Sequence, residues 1–336
     1  MMGTWLPYFW ACLIAFSIFI YIIVDGYDFG VAMLFPFAKT DEERNELIGS
    51  IAPFWDGNET WLVIVGATLF GAFPAIYAIF LSAFYIPVVL LLVGLIFRGV
   101  SFEFREQALK HRGFWEWGFV IGSLVASIVQ GAAIGTLIMG LPIQGTTYVG
   151  NGWDWLAPFP VLCGVGLSIG YAMLGAGWLI LKTDGAVAIR ARKVVKYLAA
   201  AFSVFILAAF VITAGVDIPA RRVWFDGPLW YWVFPLMGFI GLGLVLKSAS
   251  NTQSHDRATF ASTCLMFLSA YGALAVSFWP YMMPYSLTIE QAAAPLVSLE
   301  FMFWGAVVMF PLVVFYFLRI YHMFEGKASP VGYEVK

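Results

Sequence analysis

Nine long apolar segments dominate this sequence and restrict the chain to folds that a lipid bilayer can accept. A hydrocarbon core of about 30 Å requires roughly 20 apolar residues for each helical crossing. Of the 336 residues, 62% are hydrophobic and 11% are charged, whereas about 25% of the residues in soluble domains are charged. Because backbone groups in lipid must bond within their own segment, we predict an all-α polytopic protein, with one integral-membrane domain over 1–336. The predicted spans lie near residues 7–30, 57–73, 76–98, 116–140, 158–181, 196–216, 229–246, 259–280 and 301–321.

One apolar run is too long for a single crossing. Residues 61–97 contain no charged residue, and a single helix of that length would extend roughly 55 Å at about 1.5 Å per residue. Gly71 and Pro74 favour a tight hairpin between the second and third spans. The second span must then begin near Asp56, which places Asp56 and Glu59 at the membrane boundary.

The basic residues predict the orientation of the chain. With the N-terminus outside, every Lys and Arg except Arg221 and Arg222 falls on the inner side, as the positive-inside rule requires. An odd number of spans then places the C-terminus in the cytoplasm. The start of the chain lacks the basic region and the cleavage site of a signal peptide, so we expect the first span to be retained.

Ionisable residues are concentrated at the predicted inner ends of the first three spans. Asp25 lies about 27 Å along the first helix at the helical rise, and therefore in the inner leaflet. Asp28 follows one turn later, Asp56 and Glu59 repeat that spacing, and Arg98 ends the third span. Because a charge at bilayer depth is costly, several in one layer indicate an ion or proton path.

Each of these residues, taken alone, is equally well explained as a helix cap, an ion-pair partner or a side chain that reaches the headgroups. The pair Asp25 and Asp28 is harder to explain in that way, because apolar sequence flanks it on both sides. Two close carboxylates disfavour simultaneous ionisation, which suits groups that take up and release protons.

The sequence offers few ligands for haem or metals. Haem iron in proteins is commonly held by axial histidines, and the histidines here, His111, His255 and His322, lie in or beside predicted inner loops. The three cysteines occur in separate predicted spans without paired spacing. We therefore expect no cofactor or metal site in this chain alone.

Three segments resemble subunit II of cytochrome bd-type quinol oxidases. They are VDGYDFG at 24–30, APFWDGNETWL at 52–62 and GLIFRGVSFEFR at 94–105, in the order that the family has them. Length and span count agree with the family across the whole chain. The chain is shorter than the enteric members, which favours the cyanide-insensitive branch.

The resemblance implies a subunit of two four-helix bundles and one peripheral helix, paired with a similarly folded subunit I. Subunit I of that family carries two haems b and one haem d, oxidises quinol near the outer face and reduces O₂ to water. This chain would be its haem-free partner in the bacterial inner membrane, which stabilises subunit I within an electrogenic, non-pumping oxidase. A small single-helix subunit is a further candidate partner, membrane lipids surround the chain, and no nucleic acid is expected to bind.

The resemblance also implies which residues act. A proton path from the cytoplasm would follow the subunit interface through Asp25, Asp28, Asp56 and Arg98. Asn58 and Glu59 either extend this path or cap the second helix. Trp55 and Trp61 are expected at the subunit interface, and no catalytic residue is expected in this chain.

Two other functions stay open at this point. A proton-coupled secondary transporter would use the same acids, although transporter sites tend to lie near the midplane in broken helices and these charges lie toward one face. A purely structural membrane subunit is the third interpretation, in which the charges only pair with one another.

Overall fold

The computed structural model describes residues 5–108, 110–216, 219–250 and 256–328, and most of them are helical. The helices are α1 (Leu6–Leu34), α2 (Asp41–Ile51), α3 (Trp55–Ala72), α4 (Pro74–Ala83), α5 (Tyr85–Gln107), α6 (Arg112–Met139), α7 (Pro158–Lys182), α8 (Gly185–Gly215), α9 (Pro219–Phe225), α10 (Val233–Ser250), α11 (Asp256–Phe278), α12 (Ile289–Ala292) and α13 (Leu296–Met323). Two antiparallel hairpins join β1 (Ile143–Gln144) to β2 (Thr147–Tyr148) and β3 (Tyr281–Met283) to β4 (Leu287–Thr288).

Within these described ranges, eight helical segments are long and apolar enough to cross a membrane. They contain α1, α5, α6, α7, α8, α10, α11 and α13. The prediction of an all-α, polytopic membrane protein is therefore confirmed. Helix α3 corresponds to the second predicted span and is not among the eight, because its first two turns carry four polar residues: Asp56, Asn58, Glu59 and Thr60.

The apolar run 61–97 is broken twice, where the sequence predicted a single hairpin. The first break, at Phe73, precedes Pro74, which occupies the first position of the short helix α4. That position suits proline because its missing N–H needs no partner there. The second break, at Phe84, separates α4 from α5.

The second break changes the place of Arg98. Helix α5 begins at Tyr85 and not near residue 76, and Pro87 fits its first turn, where no N–H is needed. The helix continues to Gln107. Arg98 therefore lies in the interior of α5, and the prediction that it ends the third span is wrong.

Helix α1 lies at the centre of the molecule. It packs against α3, α6 and α7, while α5 packs against α6, and α7 packs against α8 and α11. Helix α10 contacts α8 and α11, and α13 contacts α3 and α1. We call the end of the molecule that holds α2 the α2 end, and the opposite end, with both hairpins, the hairpin end.

Glycines let the central helices approach closely. A Cβ atom on Gly30 of α1 would lie 1.9 Å from the carbonyl oxygen of Tyr171 and 2.7 Å from the backbone nitrogen of Gly175, both on α7. Such small-residue contacts are typical of helix packing in membranes. The contact at Gly30 holds the acidic end of α1 against α7.

Candidate functional site

Three helices bring one guanidinium and two carboxylates together. Arg98 of α5 donates through Nη1 to Oδ1 of Asp25 on α1 at 2.5 Å, and through Nη2 to Oε2 of Glu59 on α3 at 3.2 Å. The side chains of Asp25 and Arg98 are fully buried, while that of Glu59 is 26% exposed. Glu59 therefore connects the buried ion pair to the surface of the chain.

A second buried acid, Asp28, lies one turn along α1 and is held by Asn58 of α3. The Nδ2 atom of Asn58 lies 2.8 Å from Oδ2 of Asp28, 2.9 Å from Oη of Tyr27 and 3.1 Å from the carbonyl oxygen of Val24. Because an amide nitrogen carries only two hydrogens, these three acceptors share its donors. Asn58 thus acts as a buried link and does not merely cap α3.

Two tyrosines continue this polar chain away from Asp28. Tyr321, near the end of α13, donates to Oδ1 of Asn58 at 2.8 Å and shares a hydrogen bond with Tyr27. Tyr27 stacks on Trp178 of α7, with ring centroids 3.9 Å apart. The chain of polar contacts from Asp28 therefore reaches helix α13.

A further polar group lies on the hairpin-end side of Asp25. Gln130 of α6 donates to Oη of Tyr21 at 2.8 Å and accepts from Oη of Tyr171 at 2.9 Å. Tyr21 is one turn before Asp25 on α1. Polar contacts therefore continue past the acids on both sides.

Several atoms of the cluster have no hydrogen-bond partner among the described residues. They are Oδ2 of Asp25, Oδ1 of Asp28 and Nε of Arg98. A buried polar atom without a partner costs about 1–3 kcal/mol. The two carboxylate oxygens therefore retain the capacity to accept a proton.

The structure does not bring every predicted site residue into this cluster. Asp25, Asp28, Arg98 and Glu59 converge, whereas the side chain of Asp56 is exposed at the start of α3. A carboxylate in the first helical turn is stabilised there by the helix dipole. Asp56 is therefore a surface neighbour of the cluster.

The two tryptophans predicted at the subunit interface lie in different surroundings. Trp61 is 2% exposed and contacts Phe310 and Phe317 of α13 edge-on. Trp55 is partly exposed and stacks on Phe102 at 5.2 Å. Trp61 thus packs within this chain, Trp55 is the one open to a partner, and their place at an interface stays a prediction.

Sequence reasoning missed Tyr21, Tyr27, Gln130, Tyr171 and Tyr321. The spacing of Tyr21 four residues before Asp25 could have indicated the first of them, because such residues share a helix face. Gln130, Tyr171 and Tyr321 lie on distant helices, and nothing local in their sequence distinguishes them.

The described histidines do not provide a buried ligand pair. His111 is exposed beside the start of α6, and His322 is 72% exposed near the end of α13, where it faces Glu325. Both lie at helix ends, away from the packed interior. His255 lies outside the described residues.

Ion pairs connect the helices at the α2 end. Arg105 of α5 donates to Glu116 of α6 at 3.1 Å, and Arg190 of α8 pairs with Glu43 of α2 at 2.5 Å. Hydrogen bonding from Arg190 lowers the pKa of Glu43. Helix α2 thereby ties the first helices of the chain to α8.

The Glu43–Arg190 pair predicts a small pH effect on stability. Because the pKa of Glu43 is lowered in the folded chain, the pair stabilises the fold at neutral pH and loses this contribution as the pH falls below about 4. Arg190→Gln is expected to lower the unfolding free energy by at most about 1 kcal/mol at pH 7. Thermal unfolding of the purified protein at pH 7 and at about pH 2.5, below the lowered pKa, tests this, and an equal loss at both pH values would contradict it.

The family model described as cytochrome bd terminal oxidase subunit II matches residues 6–324, which is nearly the whole described chain. The chain belongs to this family. The resemblance carried by the three sequence segments is thereby confirmed, and the buried acids of α1 and the arginine of α5 all come from those segments.

Two relatives align with this chain over almost their full length. Subunit 2 of the cytochrome bd-I ubiquinol oxidase of Escherichia coli K12 is 31% identical, over 96% of this chain and 95% of that protein. Subunit 2 of the cytochrome bd ubiquinol oxidase of Bacillus subtilis is also 31% identical, over 95% of this chain and 96% of that protein. The fold is similar to that of a chain in the structure of bd oxidase from Geobacillus thermodenitrificans, with a TM-score of 0.76 over 94% of this chain and 98% of that chain, at 16% identity.

Proposed function

We propose that this chain is the haem-free subunit II of a terminal oxidase that couples quinol oxidation to the reduction of O₂ to water. Membership of the subunit II family supports this, as do relatives that belong to ubiquinol oxidases. Its partner would be subunit I, which would supply the haem b and haem d chemistry and bind quinol. The complex would lie in the bacterial plasma membrane, with or without a small single-helix subunit.

The proposed topology counts α3 as a ninth crossing. Helices α1, α3, α5 and α6 would form one four-helix bundle, α7, α8, α10 and α11 the other, and α13 would be peripheral. The α2 end would face the cytoplasm and the N-terminus would lie outside. The contacts of α1 with α3 and α6 and of α5 with α6 support the first bundle, and those of α7 with α8 and α11 and of α10 with α8 and α11 support the second, while α7 joins the two through α1 and α6. The distribution of Lys and Arg supports the orientation.

The second proposed task is to carry protons from the cytoplasm toward the O₂ site of subunit I. The observation that carries this proposal is the fully buried Asp25–Arg98 pair, with a second buried acid beside it and a partly exposed acid on its other side. An ion pair that only stabilised the fold would not need the further acids. Arg98 would hold the charge of Asp25 while a proton bound to either carboxylate moves on.

Glu59 would pass the proton to the partner. It is the partly exposed acid bound to Arg98, and Asp56 lies exposed one turn from it on α3. Acids exposed to lipid are costly, so we expect subunit I to cover this face, with Trp55 in the contact. Because chemical protons would come from inside while quinol protons leave outside, turnover would be electrogenic without a pump.

Neutral substitutions of the acids test the proton path. In the assembled complex, Asp25→Asn and Asp28→Asn are each expected to lower quinol-dependent O₂ consumption at least roughly tenfold, equal to about 1.4 kcal/mol in the barrier. Asp56→Asn is expected to have a smaller effect, because its side chain lies outside the buried cluster.

The reduced-minus-oxidised haem spectrum and co-purification of subunit I serve as the controls for assembly. Complexes with unchanged haem content and unchanged turnover in all three variants would eliminate the proton path and leave the structural interpretation. A homogeneous preparation of the parent chain without haem or partner would instead favour a transporter.

A further inference from the structure

A cavity of about 250 Å³ lies between the first two turns of α3 and the last three turns of α13. The cluster described above does not include it. Its polar lining consists of Asn58, Thr60, Tyr316 and Tyr321, and the remainder is apolar apart from Gly57. Most of the lining is apolar, and a water molecule needs two to four polar partners, so waters in this space would lie beside these four side chains.

The cavity touches the buried acids through a single residue. Asn58 lines the cavity, and its Nδ2 atom lies 2.8 Å from Oδ2 of Asp28. Tyr321 lines the same wall and bonds both Asn58 and Tyr27. Asp28 itself is fully buried, with its Oδ1 atom unbonded by any described residue. The side chain of Asn58 therefore separates the cavity from the carboxylate of Asp28.

The cavity also opens to the surface of the chain near the α2 end. Thr60 and Tyr316 on its rim are exposed. Its lining on α13 runs from Leu312 to Tyr321, which covers roughly 14 Å at the helical rise and ends beside the α2 end of that helix. An opening there lies close to the proposed cytoplasmic face.

We propose that this cavity is the proton inlet of the subunit, and that hydrated protons reach Asp28 past Asn58 and Tyr321. This rests on the proton-carrying function proposed above. In the step, one hydronium ion in the cavity gives one proton to the carboxylate of Asp28, leaving one water in the cavity and one neutral carboxylic acid in the protein. The proton then passes to Asp25 and leaves toward the partner through Glu59. Asn58 and Tyr321 act as positioning residues. Asn58 holds the carboxylate of Asp28, and Tyr321 holds the amide of Asn58.

Filling the cavity tests this inlet. Gly57 lines the cavity, and a Cβ atom there would meet no atom within 4 Å, so the helix has room for the start of a leucine side chain in Gly57→Leu. Gly66 lies on the same helix, also has open space around a Cβ atom, and does not line the cavity. Gly66→Leu is therefore the matched control.

We expect Gly57→Leu to lower turnover roughly tenfold and to raise the ratio of rates in H₂O and D₂O, because proton delivery becomes limiting. Gly66→Leu should change neither quantity. The affinity for quinol should stay the same in both variants. Equal turnover and an equal isotope ratio in the two variants would overturn the inlet, and so would a change in quinol affinity alone, which would identify a lipid or quinol groove.

A second variant blocks the cavity after folding. Gly57→Cys is combined with Cys12→Ser, since Cys12 is the exposed native thiol of the described chain, and the assembled complex is treated with a bulky methanethiosulfonate. Turnover should fall on labelling and recover when dithiothreitol removes the label. Labelling without loss of turnover would contradict the inlet. If Asp25→Asn slows turnover while both blocked forms do not, the inlet fails and the proton-carrying function stands; if Asp25→Asn also has no effect, both fail.

Discussion

Arg98→Gln is expected to prevent accumulation of the assembled oxidase. The guanidinium is fully buried and holds Asp25 at 2.5 Å and Glu59 at 3.2 Å, so its removal leaves buried carboxylates without compensation. Breaking a buried ion pair in this way costs about 3–5 kcal/mol, a large share of the stability of most domains. The haem content of membranes and the thermal unfolding of the purified complex measure the loss.

Two further variants separate charge from shape at this position. Arg98→Lys keeps the charge and should assemble in part, because one ammonium cannot bond two carboxylates in the geometry of the guanidinium fork. Arg98→Gln combined with Asp25→Asn removes both partners, and should restore assembly relative to Arg98→Gln without restoring turnover. If Arg98→Gln alone assembled as well as the parent chain, the pair would not be the electrostatic centre of the site.

Gly30→Ala is expected to destabilise the assembled complex about as strongly, through a steric clash alone. The added Cβ atom would lie 1.9 Å from the carbonyl oxygen of Tyr171 and 2.8 Å from Cα of Gly175, so α1 and α7 must separate. Overpacking of this kind costs about 1–3 kcal/mol and occasionally more. The yield of assembled complex and its unfolding temperature should both fall.

Gly243→Ala provides the control for this substitution. Gly243 lies in the apolar helix α10, and a Cβ atom there would meet nothing within 4 Å. Alanine exceeds glycine in helix propensity by about 1 kcal/mol, so this variant should be neutral or slightly more stable. Equal behaviour of the two variants would mean that the close approach of α1 and α7 does not position the acids.

Hydropathy and charge spacing predicted the class of fold and the buried acids, but not the turn at which each helix begins. The break at Phe84 makes α5 begin at Tyr85, and α5 continues to Gln107. Arg98 therefore lies in the interior of the helix and not at its end. Window averages of hydropathy contain no information on such breaks. Only the positions of Pro74 and Pro87 could have indicated both.

The difference between Asp56 and Glu59 has a geometric cause. Residues three apart on a helix differ by about 60° in direction, since each residue turns about 100°. One member of such a pair can therefore face a buried partner while the other faces outward, as Glu59 and Asp56 do. Which of the two faces inward depends on how α3 packs against α1 and α5, and the sequence does not specify this.

The side chains that contact the acids were harder to predict from the sequence than the acids themselves. Asn58 was identified as part of the path or as a cap, and the structure makes it the link between Asp28 and α13. Tyr321 follows Asn58 by 263 residues in sequence. Contacts of that separation come from tertiary packing, and a single sequence carries no local signal for them.

Proton uptake during one turnover tests the central claim most directly. The fully reduced complex, reconstituted in liposomes, is mixed with O₂ while a pH dye records uptake on the cytoplasmic side and haem absorbance records oxidation. We predict that Asp28→Asn, which leaves the Asp25–Arg98 ion pair in place, slows proton uptake and the oxidation phases coupled to it by the same factor in a complex with the haem content of the parent. Uptake at the rate of the parent would contradict the account, because the buried acids of α1 would then lie outside the route that protons follow.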